Sequence, residues 1–122
     1  MPAQILIVDD SSAMRAYVRA ALEGDGEVEV AEATSGFDAL RLLPREKFDL
    51  VIVDINMPNI NGLELISFMR KSETHRSTPL LIISTEASER DQARAMALGA
   101  NAYLPKPFSS EQLLKVVADL ER

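Results

Sequence analysis

The sequence of 122 residues predicts an α/β fold: one five-stranded parallel sheet, doubly wound, with helices on both faces. Three observations carry that prediction. The short apolar runs Ile5 to Val8, Leu50 to Val53 and Leu80 to Ile83 are rich in branched residues and lack polar alternation, as strands covered on both sides require. Amphipathic stretches of helical period lie between and after them. Strand and helix therefore alternate five times, and right-handed crossovers turn that alternation into a parallel sheet.

Taken in order, the first strand leads into a helix whose Met14, Val18, Ala21 and Leu22 form one stripe, expected to stop near Gly24. Val28, Glu29 and Val30 alternate as an edge strand would. Ala39, Leu40 and Leu43 mark a short helix ended by Pro44. After the strand Leu50 to Val53, the turn at Asn61 and Gly62 opens a helix with Leu65, Ile66 and Met69 inward. After Leu80 to Ile83, Ser88 to Asp91 reads as a capping box, and Gly99 suits a left-handed cap at that helix's end. Ala102 to Leu104 is the fifth strand. The last helix runs from Ser109 and Ser110 to about Leu120, with Leu113, Val117 and Leu120 inward. Strand order 2-1-3-4-5 is one common arrangement of such a sheet, and periodicity alone is equally compatible with 3-2-1-4-5.

Length and composition narrow the function. One domain spanning residues 1–122 is expected, and a chain of this size hides about two-thirds of its unfolded surface, so it needs no disulfide or structural zinc. There is no cysteine and a single histidine, His75, so thiol chemistry is excluded and a zinc site would have to rest on carboxylates. No apolar run approaches the length of a bilayer span or a secretory core, so a cytoplasmic location is expected. With 13 basic against 19 acidic residues, the net charge of −6 disfavours direct binding to nucleic acid.

The residues that follow the strands carry the chemistry. Strand one runs into Asp9 and Asp10, strand three into Asp54, strand four into Ser84 and Thr85, and strand five is followed by Lys106 and Pro107. In an open parallel sheet these positions share the carboxyl edge, where ligands bind. Carboxylates crowded there repel: two unit charges ~4 Å apart cost about 4 kcal/mol at an effective dielectric near 20. A lysine and a hard divalent cation would relieve that, and Mg²⁺ suits an all-oxygen site that joins carboxylates to a phosphoryl group. A carboxylate could then attack phosphorus to form an acyl phosphate, with Lys106 pairing to the phosphoryl oxygens and Ser84 donating to them. Each residue also has an ordinary reading. Asp9, Asp10, Ser11 or Ser12 could simply cap the first helix, Ser84 and Thr85 could open the next, and Lys106 could be solvated. Asp54 is harder to dismiss, because a charge directly after four buried apolar residues is uncommon without a role. The coincidence of all these groups at one edge favours chemistry.

Asp9 and Asp10, Asp54 within the run Val53 to Gly62, Ser84, and Lys106 to Phe108 together resemble the signature of response-regulator receiver domains, over essentially the whole chain. The similarity is greatest to the single-domain chemotaxis type, CheY-like. It implies the 2-1-3-4-5 order and a two-component signalling role: Asp54 accepts a phosphoryl group from the phosphohistidine of a histidine kinase. It further implies that Asp10, Asp54 and the Asn56 carbonyl ligate Mg²⁺, with Asp9 contributing directly or through water. Ser84 and Tyr103 resemble a switch pair, and Lys106–Pro107 a cis peptide. The implied output is an altered protein-binding face on the fourth helix, fifth strand and fifth helix. The chain would be a monomer or weak dimer that catalyses only its own phosphorylation and dephosphorylation, or else the receiver part of a larger regulator with a separate output domain.

Three stretches depart from the family pattern. Ser88 with Glu89, and Val116 to Asp119, are acidic and apolar where flagellar-motor binders present lysines. Asn101 to Tyr103 lacks the paired aspartates of regulators that dimerise through this face. Rival classes fit less well. A flavin mononucleotide carrier would not put Asp9 and Asp10 against its phosphate. A haloacid-dehalogenase-type phosphatase spaces its aspartates by one residue after strand one. A receiver-like module that is never phosphorylated would have lost an acid or the lysine.

Overall fold

The computed structural model describes residues 2–57, 61–84 and 89–121. Its elements run β1 (Ala3–Val8), α1 (Ser12–Asp25), β2 (Val28–Ala33), α2 (Gly36–Leu42), β3 (Leu50–Asp54), α3 (Gly62–Lys71), β4 (Leu80–Ser84), α4 (Glu89–Leu98), β5 (Ala102–Pro105) and α5 (Ser110–Leu120). All strand pairs are parallel, and the order is β2-β1-β3-β4-β5. This chooses between the two orders that periodicity left open.

Alternation along the strands divides the core in two. Ile5, Ile7, Leu50, Ile52, Leu81 and Ile83 face α1 and α5, where they meet Val18, Leu22, Leu113 and Val117. Leu6, Val8, Val51, Val53, Leu80 and Ile82 face the other way, toward Ala39, Leu65, Ile66, Met69 and Ala95 on α2, α3 and α4. A strand read as one continuous apolar run thus serves both layers. Leu120 is half-buried at the margin of the α1 and α5 layer rather than deep within it.

β2 and α1 both run past their expected ends. β2 continues to Ala33 because it pairs with β1 along its whole length, from Ala3 opposite Val28 to Val8 opposite Ala33. Ala31 and Ala33 carry no β-branched signal, so the extension is a product of pairing and not of propensity. α1 passes through Gly24 to Asp25; a glycine in a last turn costs only about 1 kcal/mol.

Several helix ends among the described residues are chemically closed. Ser11 caps α1 by accepting from the Met14 amide, Asn61 and Glu64 form a capping box on α3, and Ser109 and Gln112 form one on α5. At the end of α4, Gly99 is left-handed, with φ 120°, and the Ala100 amide reaches back to the Ala95 carbonyl at 3.0 Å. The expected capping box at Ser88 to Asp91 and the expected role of Thr85 involve positions outside the described residues.

Two polar side chains fasten the edge opposite the strand ends. The Arg70 guanidinium donates to the carbonyls of Gly99, His75 and Thr78 and to the Asn101 side chain, tying α3 to the turns that lead into β4 and β5. His75 is buried, with Nδ1 3.1 Å from the Thr78 hydroxyl and Nε2 2.6 Å from the Leu43 carbonyl. Both ring nitrogens are committed to the fold, so the histidine is a structural residue.

Candidate phosphoacceptor site

The register of the central strands builds the site. Val8 lies opposite Val53 and Asp54 opposite Ile83, so the residues just past β1 and at the end of β3 emerge side by side. Asp9, Asp10 and Asp54 each bring a carboxylate oxygen to within 4.8 Å of the others. Asp9 is fully buried and Asp54 nearly so, whereas Asp10 is exposed. Across from them, the Lys106 ammonium donates to Asp9 Oδ2 at 3.2 Å and to Asp54 Oδ2 at 3.4 Å. Lys106 is held there by its own backbone, whose amide donates to the Ser84 carbonyl at 2.7 Å. The peptide Lys106–Pro107 is cis.

Helix capping by the aspartates is the ordinary reading that the geometry rejects. Ser11 caps α1, and Asp9 Oδ1 instead accepts the Ser11 amide at 2.8 Å, which shapes the turn leaving β1. Burial pushes the Asp9 carboxyl above the ordinary carboxylate range. The Ser11 amide pulls it back, the Asp54 charge adds to the rise, and Lys106 opposes it.

Asn56 joins two other candidates. Its backbone amide donates to Asp54 Oδ1 at 2.9 Å, and its side-chain amide donates to Ser84 Oγ at 3.0 Å. The loop that carries it can lie low because Gly62 opens α3 directly beneath. A Cβ at Gly62 would stand 2.7 Å from the Ile55 Cα and 3.0 Å from the Asp54 carbonyl oxygen. Tyr103 is not at the cleft: it sits opposite Ile82 on β5, partly buried against the α2, α3 and α4 layer.

One neighbour of the cleft was not singled out from sequence. Arg15, on α1, donates to the Asp9 carbonyl at 2.8 Å and to Glu32 of β2 at 2.8 Å. Arg19 pairs with the same glutamate. Burial would raise the Glu32 carboxyl, but the two guanidinium bonds outweigh it and hold that carboxyl below its ordinary range. An arginine on an amphipathic helix carries no positional signal of its own. Only the packing of α1 over β2 shows where it points.

A donor set of three carboxylates, without nitrogen or sulfur, fits a hard divalent cation such as Mg²⁺, and exposed Asp10 leaves one side open to water. Fold and cleft together define a receiver-type switch. The model of the response regulator receiver domain family matches residues 5–118, and the chain belongs to that family. It is 35% identical over 118 residues to a chemotaxis protein CheY homolog of Campylobacter jejuni, covering 96% of this chain and 91% of the relative. The solved structure of the chemotaxis response regulator CheY4 of Vibrio cholerae superposes with a TM-score of 0.92 at 36% identity, over 98% of this chain and 99% of that one. The receiver domain of a sensor histidine kinase from Pseudomonas aeruginosa, solved with a magnesium ion coordinated in its active site cleft, gives 0.90 at 25% identity, over 99% and 98%. The chain is a CheY-like receiver.

Proposed function

We propose that Asp54 is the phosphoacceptor of a two-component response regulator and that its phosphorylation changes a protein-binding surface. The observation that carries the reading is the cluster itself: three carboxylates within 4.8 Å with Lys106 bonded to two of them. A structural salt bridge needs one acid, and burying a second carboxylate beside it, with a third at the rim, is costly without a ligand. In the reaction, an Asp54 carboxylate oxygen forms a bond to phosphorus. The P–N bond of a kinase phosphohistidine breaks, its electron pair leaving on the imidazole. Asp9, Asp10 and Asp54, with the Asn56 carbonyl, would hold Mg²⁺, which when bound supplies charge for the phosphoryl oxygens. Lys106, already beside Asp54, pairs with the same oxygens.

Ser84 is one hydrogen bond from Asn56, and Asn56 touches Asp54, so a group added to Asp54 is felt at the end of β4. Ser84 turning toward that group, with Tyr103 following, would change the face of α4, β5 and α5. Met96 and Leu98, both on α4, are exposed apolar side chains. No helix among the described residues is long and apolar enough to cross a membrane, and the reading places the protein in the cytoplasm. Chemotaxis or motility signalling is the pathway suggested by its CheY-like relatives.

Incubation with Mg²⁺ and a small-molecule phosphodonor is expected to add one phosphoryl group, labile to hydroxylamine, to the wild type and none to Asp54→Ala. An unchanged intact mass, or a label that survives in Asp54→Ala, would remove Asp54 from the role.

A further inference from the structure

Tyr17 takes no part in the cleft, yet its placement is specific. The residue is 40% exposed, so burial alone does not explain its placement. Its hydroxyl donates to the Phe108 carbonyl at 3.0 Å, and its ring tilts against that of Phe108, with centroids 5.9 Å apart. Phe108 is buried in the layer between the sheet, α1 and α5. Between Leu104 and Phe108 run Pro105, the last residue of β5, then Lys106 and Pro107, and the prolines have no amide hydrogen to donate. Lys106 is therefore the only backbone donor of these three residues, and it is spent on the Ser84 carbonyl at 2.7 Å. The lysine is thus tethered on its upstream side by Ser84 and on its downstream side by Tyr17 through Phe108.

We propose that Tyr17 is a positioning residue for Lys106: its bond to the Phe108 carbonyl fixes residues 106–108 so that the ammonium stays against Asp9 and Asp54. The consequence for phosphorylation rests on the reading of Asp54 above; the tie between Tyr17 and Lys106 does not. Plain aromatic packing is the competing explanation, and Tyr17→Phe keeps the packing while removing the hydroxyl.

The test compares wild type, Tyr17→Phe, Lys106→Met and the double variant, the methionine keeping much of the lysine stem. In metal-free urea unfolding, the stability lost on Tyr17→Phe is expected to fall by at least about half when Lys106 is already replaced, because coupled residues are non-additive. With Mg²⁺ and a small-molecule phosphodonor, Tyr17→Phe is expected to be phosphorylated about 3–10-fold more slowly than wild type, as slight misplacement of a reacting group produces. Its half-saturating Mg²⁺ concentration should stay within about twofold, since no metal-binding carboxylate has changed. The same stability loss in both lysine backgrounds would overturn the proposal, and so would a phosphorylation rate equal to that of wild type. A wild type that couples Tyr17 to Lys106 but takes up no phosphoryl group would support the tie and sink the phosphoacceptor reading instead.

Discussion

Replacing Asp10 by asparagine removes one charge from the cleft while breaking neither of the Lys106 ion pairs, which go to Asp9 and Asp54. The three carboxylates lie within 4.8 Å of one another. Two unit charges at that separation repel by about 3.5 kcal/mol at an effective dielectric of 20 and by about 0.9 kcal/mol in bulk water. Asp10 is exposed, so its two repulsions belong near the lower figure, and Asp10→Asn is expected to raise metal-free stability by about 1–2 kcal/mol. Mg²⁺ should work the other way. At a hundred times its dissociation constant it stabilises the wild type by about 2.7 kcal/mol, and a tenfold weaker site gains about 1.4 kcal/mol at the same concentration. The advantage of the variant should therefore shrink as Mg²⁺ is added. Urea melts of both proteins at neutral pH, in chelator and in millimolar Mg²⁺, measure all four stabilities. A variant no more stable than wild type in chelator, with a wild type indifferent to Mg²⁺, would mean that the cleft neither stores repulsion nor binds the ion.

Two further outcomes follow from the same geometry. Gly62→Ala would force a Cβ to 2.7 Å from the Ile55 Cα, so it is expected to cost about 1–3 kcal/mol in a urea melt despite the better helix propensity of alanine; a neutral or stabilising result would show that the loop above α3 yields freely. Asp9 supplies a pH signature. Because its carboxyl is raised above the ordinary aspartate value of 3.8, the folded state holds that proton more tightly, and the contribution is present below pH 3.8 and lost as pH rises through the folded value. The stability of metal-free wild type minus that of Asp9→Asn should accordingly fall with rising pH above about 4, and a difference that rises over that range would refute the assigned direction.

Much of this architecture is legible in the sequence because buried parallel strands leave an unmistakable trace. Ile5 to Val8, Leu50 to Val53 and Leu80 to Ile83 have no polar alternation, and the next residue after each such run must surface at the carboxyl edge. That logic brings Asp9, Asp54 and Ser84 to one place before any coordinates are known. Strand order is different in kind. It depends on which face each connection crosses, and it came from the resemblance until the pairing of β1 with both β2 and β3 fixed it. The second half of β2 was hidden because Ala31 and Ala33 are weak strand formers held by their neighbour. The side chains that fasten loops were hidden for a common reason. Arg15, Tyr17 and Arg70 all bond to backbone carbonyls outside their own helices, and a carbonyl has no residue identity to recognise.

Asn56 explains how a single charge change could be read at a distance. It holds the Asp54 carboxylate with its backbone and the Ser84 hydroxyl with its side chain, so the proposed acceptor and the proposed switch residue share one short bridge. For Ser84 to turn toward a phosphoryl group on Asp54, the bond from Asn56 must be given up, a net loss of about 0.5–1.5 kcal/mol. A bond from the serine to a charged phosphoryl oxygen contributes about 1.5–3 kcal/mol. Between the mid-values of these ranges the surplus is about 1.2 kcal/mol, a bias of roughly eightfold between two arrangements. That is enough to change which arrangement dominates and too little to lock it. A partner that reads the α4, β5 and α5 face would then add its own preference for one arrangement, and each would strengthen the other. Ser84→Ala should uncouple them: phosphorylation at Asp54 persists, but the affinity of a state-dependent partner changes by less than about fivefold on phosphorylation. Calorimetric titration of such a partner against phosphorylated and unphosphorylated Ser84→Ala makes the comparison, and a full wild-type affinity change in that variant would show that the signal leaves the cleft by another route.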